Sequence, residues 1–311
     1  MTRIGTVKEI WRYPVKSMRG ESLESCELSK SGVLGDRAWA LRDERTGEIT
    51  NAKRLPRLLQ CSAHYMVQPD TLQVATATIK FPDGSEFLSN DASINSRLSE
   101  FLTREVTIWP LQPPDDKDHY RRKGVTAKTL GRLAKYSTVR AALPVLTSFG
   151  KANRELREMF SREDYEPIPD VSALPPELLE FTSPLGTYFD AFSVHLITTA
   201  SLNSMSTINC DSSWDVRRFR PNFLIETDSS LSGLVEIEWS GKLLQVGDAV
   251  FRCEIPTVRC GMTTHAQDDL PQDSNILRSI VRNADQNLGT YATVMYPAHV
   301  KLGDQVEIKE L

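Results

Sequence analysis

The sequence has few cysteines, and no two of them stand at the close spacing that a disulfide framework or a zinc ribbon requires. The five cysteines are at positions 26, 61, 210, 253 and 260, and none belongs to a C-x-x-C pair. An odd number of widely separated cysteines argues against a small scaffold held together by disulfides. A reducing, cytoplasmic setting is therefore expected.

The chain also lacks a strong charge of one sign and a long apolar run. Its formal net charge is −4, so electrostatics gives no reason to expect nucleic acid as the main partner. No run approaches the roughly 18–20 apolar residues that cross a bilayer, and the strand-like N-terminus shows no secretory signal. Hydrophobic residues at 40% and charged residues at 25% are ordinary for a soluble globular protein.

The 311 residues exceed what a single hydrophobic core usually organises, so one large or two smaller domains are expected. Residues 1 to about 110 read as short strands separated by Gly, Pro and Asp turns, which is typical of a barrel or sandwich. The predicted strands are Thr6–Trp11, Ser22–Leu28, Asp36–Leu41, Ala63–Val67, Ala75–Phe81 and Val106–Pro110. A helix is predicted over Ser93–Leu102, because Ile94, Leu98 and Leu102 share one helical face.

Residues 111 to about 185 have a different composition, polar and basic at first and then punctuated by prolines. The pattern predicts a helix from about Ser148 to Met159. The basic side chains of the first part are Arg121, Arg122, Lys123, Lys128, Arg132 and Lys135. Such a charge run is usually a solvated surface, but it also suits a collar that attracts an anionic cofactor or a redox protein. Both interpretations stay open.

From about Phe192 the pattern becomes compact again and mixes strands with helices. Val194–Ile197 is predicted as a buried strand, and Thr199 or Ser201 as the cap of a helix that ends near Ile208. A second helix is predicted over Ser274–Ala284. Further strands are predicted at Phe223–Glu226, Leu234–Trp239 and Lys242–Leu244, and after Gly-Asp turns at Gly247 and Gly303.

The most informative segment runs from Pro256 to His265 and joins a thiol to a cation, a glycine and hydroxyl groups. A thiolate needs a nearby positive charge or a metal to be populated at neutral pH, and Arg259 can supply that charge to Cys260. A soft thiolate is also the ligand that a transition metal such as molybdenum selects. The alternative is a buried structural cysteine beside a surface arginine.

A second group of residues has the chemistry to bind phosphate. Arginine forks and lysine point charges suit phosphate oxygens, and a Thr-Thr-Ala-Ser sequence that opens a helix presents N–H and hydroxyl groups to an anion. The candidates are Lys16, Ser17, Arg37, Ser201, Arg220 and Asn222. The alternative for Arg220 is a loop arginine paired with Asp215 or Glu226, and the alternative for Lys16 is a solvated strand-end lysine.

Five segments together carry a family resemblance. They are Trp11–Gly20, Gly35–Ala40, Thr198–Leu202, Arg218–Phe223 and Pro256–His265. In this order they resemble the MOSC family (molybdenum cofactor sulfurase C-terminal domain), in the branch that includes the mitochondrial amidoxime reducing component and bacterial relatives. The resemblance implies a mainly β fold with α (α+β). An N-terminal MOSC-type beta-barrel domain is expected at 1–112, a linker or insert with a helix at 113–185, and a MOSC beta-barrel domain with peripheral helices at 186–311, with a boundary that could start within the insert.

The resemblance also implies a molybdenum–molybdopterin cofactor, with Cys260 as the metal ligand. The residues that match positions lining the family's cofactor pocket are Lys16, Ser17, Arg37, Thr199, Ser201, Arg220, Asn222 and Arg259. At the level of the family, pyridoxal phosphate binding is a further association.

The implied function is that of a molybdenum-dependent oxidoreductase that removes oxygen from small N-hydroxylated substrates. The eukaryotic members of the family carry a membrane anchor, whereas no anchor is expected here. Electrons are expected from a separate protein of the ferredoxin, cytochrome b5 or flavoprotein type. The alternatives are a sulfur-carrier or transfer module with a persulfide on Cys260, a non-catalytic cofactor carrier, and a Cys-His hydrolase. From His265 onward the chain departs from the family's substrate loop, so His265 is either a proton donor or an exposed loop histidine.

Overall fold

The computed structural model describes residues 2–123 and 150–309, which form mostly strands with a few helices. The strands are β1 (Thr2–Arg12), β2 (Glu21–Leu23), β3 (Ser25–Ser29), β4 (Gly32–Val33), β5 (Trp39–Asp43), β6 (Glu48–Ile49), β7 (Ser62–His64), β8 (Thr78–Lys80), β9 (Glu86–Leu88), β10 (Val106–Pro110), β11 (Val194–Thr198), β12 (Phe223–Thr227), β13 (Leu243–Val246), β14 (Ala249–Val258), β15 (Asn287–Tyr296), β16 (His299–Lys301) and β17 (Gln305–Lys309). The α-helices are α1 (Ile94–Leu102), α2 (Lys117–Tyr120), α3 (Gly150–Phe160), α4 (Thr199–Ile208) and α5 (Ser274–Asn283). Short 3₁₀ helices are Pro56–Gln60, Pro176–Leu179, Val216–Arg218, Val235–Trp239 and Gly261–Thr264.

The largest sheet is a closed barrel of seven strands in the order β12-β11-β15-β14-β13-β17-β1. It closes because β1 pairs with β17 on one side, where Thr2 faces Ile308, and with β12 on the other, where Gly5 faces Thr227. The first strand of the chain therefore completes a barrel whose other strands come from residues 194–309. The predicted domain bounds, 1–112 and 186–311, assign β1 to the first domain, although β1 is a strand of this barrel.

One pair of barrel strands is parallel, and a helix makes it possible. Strand β11 pairs with β12 in parallel, with Leu196 opposite Phe223, and parallel neighbours need a crossover connection. Helix α4 begins directly after β11 and belongs to that crossover. Because the two strands run in the same direction, the loop entering β12 lies beside the start of β11, where the N–H of Asn222 donates to the carbonyl of His195, and α4 begins at the opposite end of the pair.

Alternating side chains on these strands build two cores. Leu196 and Phe223 point into the barrel, where they pack with Ile10 and Phe251. Their neighbour Ile197 points outward and packs with apolar residues of α4 and α5. This alternation is the period of a strand with both faces covered.

The residues before position 114 build a separate core from small sheets and α1. Strand β5 lies between β10 and β6, and β8 lies between β7 and β9. Trp39, Leu58, Ile79 and Leu98 are among the buried residues of this core. The last sheet, β16-β3-β4, joins a C-terminal strand to N-terminal ones, with Val300 opposite Cys26.

The predicted fold class, mainly β with α, is confirmed, and so are most of the predicted elements. Val106–Pro110 has the predicted bounds, and the helices over Ile94–Leu102 and Ser274–Asn283 differ by one residue from prediction. The helix predicted from Ser148 is observed as α3, while residues 148 and 149 lie outside the described residues. None of the described helices is long and apolar enough to span a membrane.

Two local predictions are wrong. The strand predicted at Leu234–Trp239 is a 3₁₀ helix over Val235–Trp239, in which Glu236 and Trp239 are both buried. Residues three apart share a face of a 3₁₀ helix, so this burial pattern suits a helix better than an alternating strand. The cap of α4 is Thr198, whose side chain accepts from the backbone N–H of Ser201, rather than Thr199 or Ser201.

Candidate functional site

A pocket lies where the end of β14 meets β11, β15 and the loop before β12. The residues that line it are Arg37, Asp190, Phe192, His195, Arg218, Phe219, Arg220, Asn222, Val258, Arg259, Cys260, Met262, Thr263 and Tyr291. Among these, arginines supply four positive charges and Asp190 supplies the negative one. The pocket therefore has a cationic wall with a thiol in it.

Cys260 lies two residues after the end of β14, in an extended conformation directly before the 3₁₀ helix Gly261–Thr264. It is partly exposed, whereas Cys26, Cys61 and Cys253 are buried in apolar cores. Burial raises the pKa of each of these three thiols to about 12, so they stay protonated at neutral pH. Cys210 is exposed but does not line the pocket.

Arg259, next to Cys260, is held rigidly by three acceptors. Its guanidinium donates from Nε to the Leu288 carbonyl at 2.7 Å and from Nη1 to the Phe219 carbonyl at 3.1 Å. Nη2 lies 2.6 Å from Nε2 of His195. Because a guanidinium can only donate, that ring nitrogen accepts and the imidazole is neutral. Burial and the charge of Arg259 both hold the pKa of His195 well below its usual range.

Arg220 and Arg37 share the ring of Tyr13. The Arg220 guanidinium carbon lies 4.1 Å from the ring centroid and that of Arg37 lies 4.9 Å from it. Arg220 also donates to the Met18 carbonyl, and Arg37 pairs with Asp36. Burial lowers the pKa of Arg220 to about 10, so it stays charged at neutral pH. The alternative partners for Arg220 are wrong, since Asp215 pairs with Arg217 and Glu226 pairs with Lys8.

Lys16 lies beneath the pocket rather than in its lining. Its side chain is 5% exposed, which makes the alternative of a solvated lysine wrong. Its Nζ donates to Oδ1 of Asp190 and to the carbonyl of Tyr188, both at 2.7 Å. Burial lowers the pKa of Lys16, and the charge of Asp190 offsets part of that effect.

Asn222 lines the pocket and hydrogen-bonds to both β11 and the loop before β5. Its backbone N–H donates to the His195 carbonyl at 2.7 Å, and its Oδ1 accepts from the His195 N–H at 3.1 Å. Its amide nitrogen donates to Oδ2 of Asp36 at 3.0 Å. The side chain therefore joins β11 to the loop that carries Arg37.

Besides Lys16, three of the predicted cofactor residues do not line this pocket. Ser201 donates to Oε2 of the buried Glu236 at 2.5 Å, so a carboxylate of the protein lies at the start of α4. Thr199 lies 3.2 Å from the Thr227 hydroxyl. Ser17 is buried and has a left-handed φ of 68°.

His265 also lies outside the pocket lining, in a loop tied to the rest of the protein on both sides. Arg19 pairs with Asp268 at 2.7 Å, and Arg217 pairs with Asp269 at 2.7 Å. Burial lowers the pKa of His265, so its imidazole is mostly neutral at pH 7 and is a poor acid. Its role as a proton donor stays a prediction.

The insert contributes a wall beside Cys260. Leu156 and Phe160 of α3 pack against Val258 and Cys260. Arg162, just after α3, is buried and donates from Nη2 to the carbonyl of Arg259 at 2.8 Å. The peptide before the thiol is thus held by a side chain from the insert.

The basic collar is described only in part. Arg121 pairs with Glu180, and Arg122 donates to the carbonyl of Phe181 at 3.0 Å, so both support local structure. Lys123 is exposed. Lys128, Arg132 and Lys135 lie outside the described residues, and the collar stays a prediction.

Comparison with known proteins decides the family. Residues 4–114 match the MOSC N-terminal beta barrel domain, and residues 186–307 match the MOSC domain. The chain belongs to the MOSC family. This assignment agrees with the resemblance carried by its five sequence segments.

Curated relatives of this MOSC protein are amidoxime reducing components. Mitochondrial amidoxime-reducing component 1 of Mus musculus is 33% identical over 84 residues, which cover 26% of the chain and 24% of the relative. Mitochondrial amidoxime reducing component 2 of Bos taurus is 35% identical over 69 residues, which cover 21% of the chain and 20% of the relative. The matches to these two relatives thus span only about a quarter of their length. Component 2 of Rattus norvegicus is 22% identical over 273 residues, which cover 85% of the chain and 68% of the relative.

Solved structures that resemble the MOSC protein include two from Bacillus and Geobacillus. The YuaD protein of Bacillus subtilis has a TM-score of 0.40 at 11% identity and covers 99% of this chain and 96% of its own. YiiM of Geobacillus stearothermophilus has a TM-score of 0.29 at 15% identity, and the match covers 38% of this chain and 55% of YiiM.

Several pocket residues of the MOSC protein were not predicted from the sequence. Arg218 and Phe219 belong to the segment Arg218–Phe223, but nothing in its pattern indicates that their side chains face a pocket. His195 was hidden in a predicted buried strand, and Asp190 and Tyr291 carried no local signal. Buried cations are usually paired. This rule could have predicted a hydrogen-bond acceptor for Arg259 and a carboxylate near Lys16, but not which residues supply them.

Proposed function

We propose that this protein binds a molybdenum–pterin cofactor through Cys260 and reduces small N-hydroxylated substrates. The observation that carries the proposal is a partly exposed thiol in a pocket whose wall holds four arginines. The relatives support the reaction class, because they are named amidoxime reducing components. The electron donor would be a separate protein of the ferredoxin, cytochrome b5 or flavoprotein type.

The residues fit such a cofactor by their chemistry. Cys260 offers a soft ligand for the metal, and no group of three or more His, Cys, Asp or Glu side chains within residues 2–123 and 150–309 is placed to hold a metal ion by itself. Arg37 and Arg220 offer forked donors for phosphate oxygens. An anionic cofactor would also offset the excess positive charge of the lining.

When bound, the cofactor supplies the two-electron chemistry, and the protein supplies binding and orientation. Overall, an amidoxime, two electrons and two protons give an amidine and water. Arg259 cannot turn away from its three acceptors without leaving buried groups unpaired, so it presents a fixed positive charge beside Cys260. The aromatic rings of Phe192 and Tyr291, with centroids 5.6 Å apart and planes tilted by 42°, provide aromatic surface against which a substrate ring can pack.

The test is to purify the protein from a host that makes the cofactor, and to measure bound molybdenum, bound pterin and the reduction of benzamidoxime with a chemical electron donor. Metal, pterin and turnover together are expected. Metal and pterin without turnover would identify a carrier and contradict the enzyme. Sulfane sulfur on Cys260 without metal would identify a sulfur-transfer module.

A further inference from the structure

Asp190 differs from the other charged residues of the pocket. It carries the negative charge in a pocket lining with four arginines, and its side chain is 63% exposed. The lysine that anchors it is 5% exposed. A buried cation thus holds an exposed carboxylate in place from below.

The anchor leaves part of the carboxylate available. Lys16 binds Oδ1, and no donor in residues 2–123 or 150–309 contacts Oδ2. The nearby arginines are engaged elsewhere: Arg259 donates to two carbonyls and His195, and Arg37 pairs with Asp36. Oδ2 of Asp190 is therefore available to accept hydrogen bonds from a ligand.

The carboxylate is also ionised at neutral pH. Partial desolvation in the protein wall would raise its pKa, but the charges of Lys16, Lys53 and Arg37 lower the pKa well below its usual range. An ionised carboxylate fixed by one oxygen can accept two parallel N–H donors from a planar group, as it does from a guanidinium.

Aromatic rings stand next to this acceptor. Phe192 is two residues after Asp190 and lies 5.6 Å from Tyr291 between ring centroids, and both rings line the pocket. The ring planes are tilted by 42°, so a flat ligand that stacks on one of them could turn an N–H edge toward Asp190.

We propose that Asp190 is a recognition residue for a planar N–C–N edge that carries two N–H donors. The choice of ligand rests on the proposed function, which offers two sources of this chemistry. One is the amidine or guanidine group of the substrate and product, and the other is the amino-pyrimidinone edge of a pterin. Both would bind through the same pair of donors.

The experiment measures ligand affinity by calorimetry on the full chain, purified from a host that cannot make the cofactor. The probes are benzamidine, benzamide as an uncharged ligand of the same shape, and 6-methylpterin. The variant is Asp190→Asn, which keeps an acceptor oxygen for Lys16 but removes the charge. Asp83→Asn is the matched control, because Asp83 is 56% exposed and also pairs with a cation, Arg97, but does not line the pocket.

Benzamidine affinity is expected to fall roughly 10- to 100-fold in Asp190→Asn, the range for losing a charge-assisted hydrogen-bonded pair. Benzamide affinity should not change, and Asp83→Asn should bind all probes like the original protein. A loss confined to 6-methylpterin would also support the proposal and would assign Asp190 to the cofactor. Unchanged affinity for both probes in Asp190→Asn, or no binding of either to the original protein, would overturn it.

A second variant guards against a folding defect. Asp190→Glu keeps the negative charge for Lys16 but moves the carboxylate by one methylene, so benzamidine affinity should fall while the unfolding midpoint stays near that of the original protein. These readouts do not depend on turnover. A protein that binds benzamidine through Asp190 but never reduces benzamidoxime would contradict the proposed function and leave this inference standing.

Discussion

Gly289 makes room for the pair formed by His195 and Arg259, and its replacement by alanine tests how tightly that pair is packed. Gly289 lies on β15 with a φ of 84°, a conformation that side-chain-bearing residues rarely adopt. A Cβ there would lie 2.4 Å from Nε2 of His195 and 2.7 Å from the carbonyl oxygen of Leu196. It would also lie 3.1 Å from Nη2 of Arg259. The backbone oxygen cannot move as a flexible side chain would.

Two costs follow from this geometry. The left-handed conformation costs an alanine about 1–2 kcal/mol, and forcing an extra carbon into a packed site costs about 1–3 kcal/mol. Gly289→Ala should therefore lower the free energy of unfolding by about 2–5 kcal/mol. Gly303 is the matched control, because its φ is also 84° and nothing lies within 4 Å of its added Cβ. Gly303→Ala should cost only the first amount, about 1–2 kcal/mol.

Urea unfolding of both variants measures the difference, provided that the dependence on denaturant is unchanged. Since the displaced pair includes Arg259 beside Cys260, bound molybdenum should also fall in Gly289→Ala and not in Gly303→Ala. Equal destabilisation of the two variants would refute the close packing of His195 and Arg259. Normal metal content in a destabilised Gly289→Ala would refute the link between that pair and the proposed metal ligand.

Three further predictions concern single side chains. Cys260→Ala should abolish turnover and metal binding but change stability by only about 1 kcal/mol, and retained turnover would rule out Cys260 as the ligand. Arg220→Lys should lower pterin content because lysine lacks the forked donors, while turnover per bound molybdenum stays normal; a fall in that ratio would place Arg220 on the substrate side. Burial raises the pKa of Glu236 above its usual 4.5, so the folded state binds its proton more tightly and stability falls as pH rises above 4.5. Urea unfolding at pH 5 and pH 7.5 should show a smaller loss in Glu236→Gln than in the original protein, and an equal loss would contradict that pKa.

The secondary structure could be predicted well where local pattern and burial coincide. Val106–Pro110 and Ser274–Asn283 were predicted closely, because their alternating or helical apolar positions are the ones that the cores bury. Leu234–Trp239 was mispredicted because its burial is decided by contacts outside the segment. Glu236 is buried in the interior, where the hydroxyl groups of Thr198 and Ser201 donate to its side chain.

The sequence by itself determined the chemistry of the candidate site. The adjacency of Arg259 and Cys260, and the motif that carries Arg220 and Asn222, are local features, and these residues do line one pocket. Their residue types alone indicate a thiolate ligand and anion-binding side chains. The role of each one stays a proposal.

Only the tertiary structure decided how these groups are held and which charges oppose them. The barrel closes through β1, whose partners β12 and β17 lie more than 200 residues away in sequence. Lys16 meets Asp190, and His195 meets Arg259, across separations of 174 and 64 residues. Such contacts leave no periodic trace, because each depends on strand pairing that brings distant segments together and on the need of a buried charge for a partner.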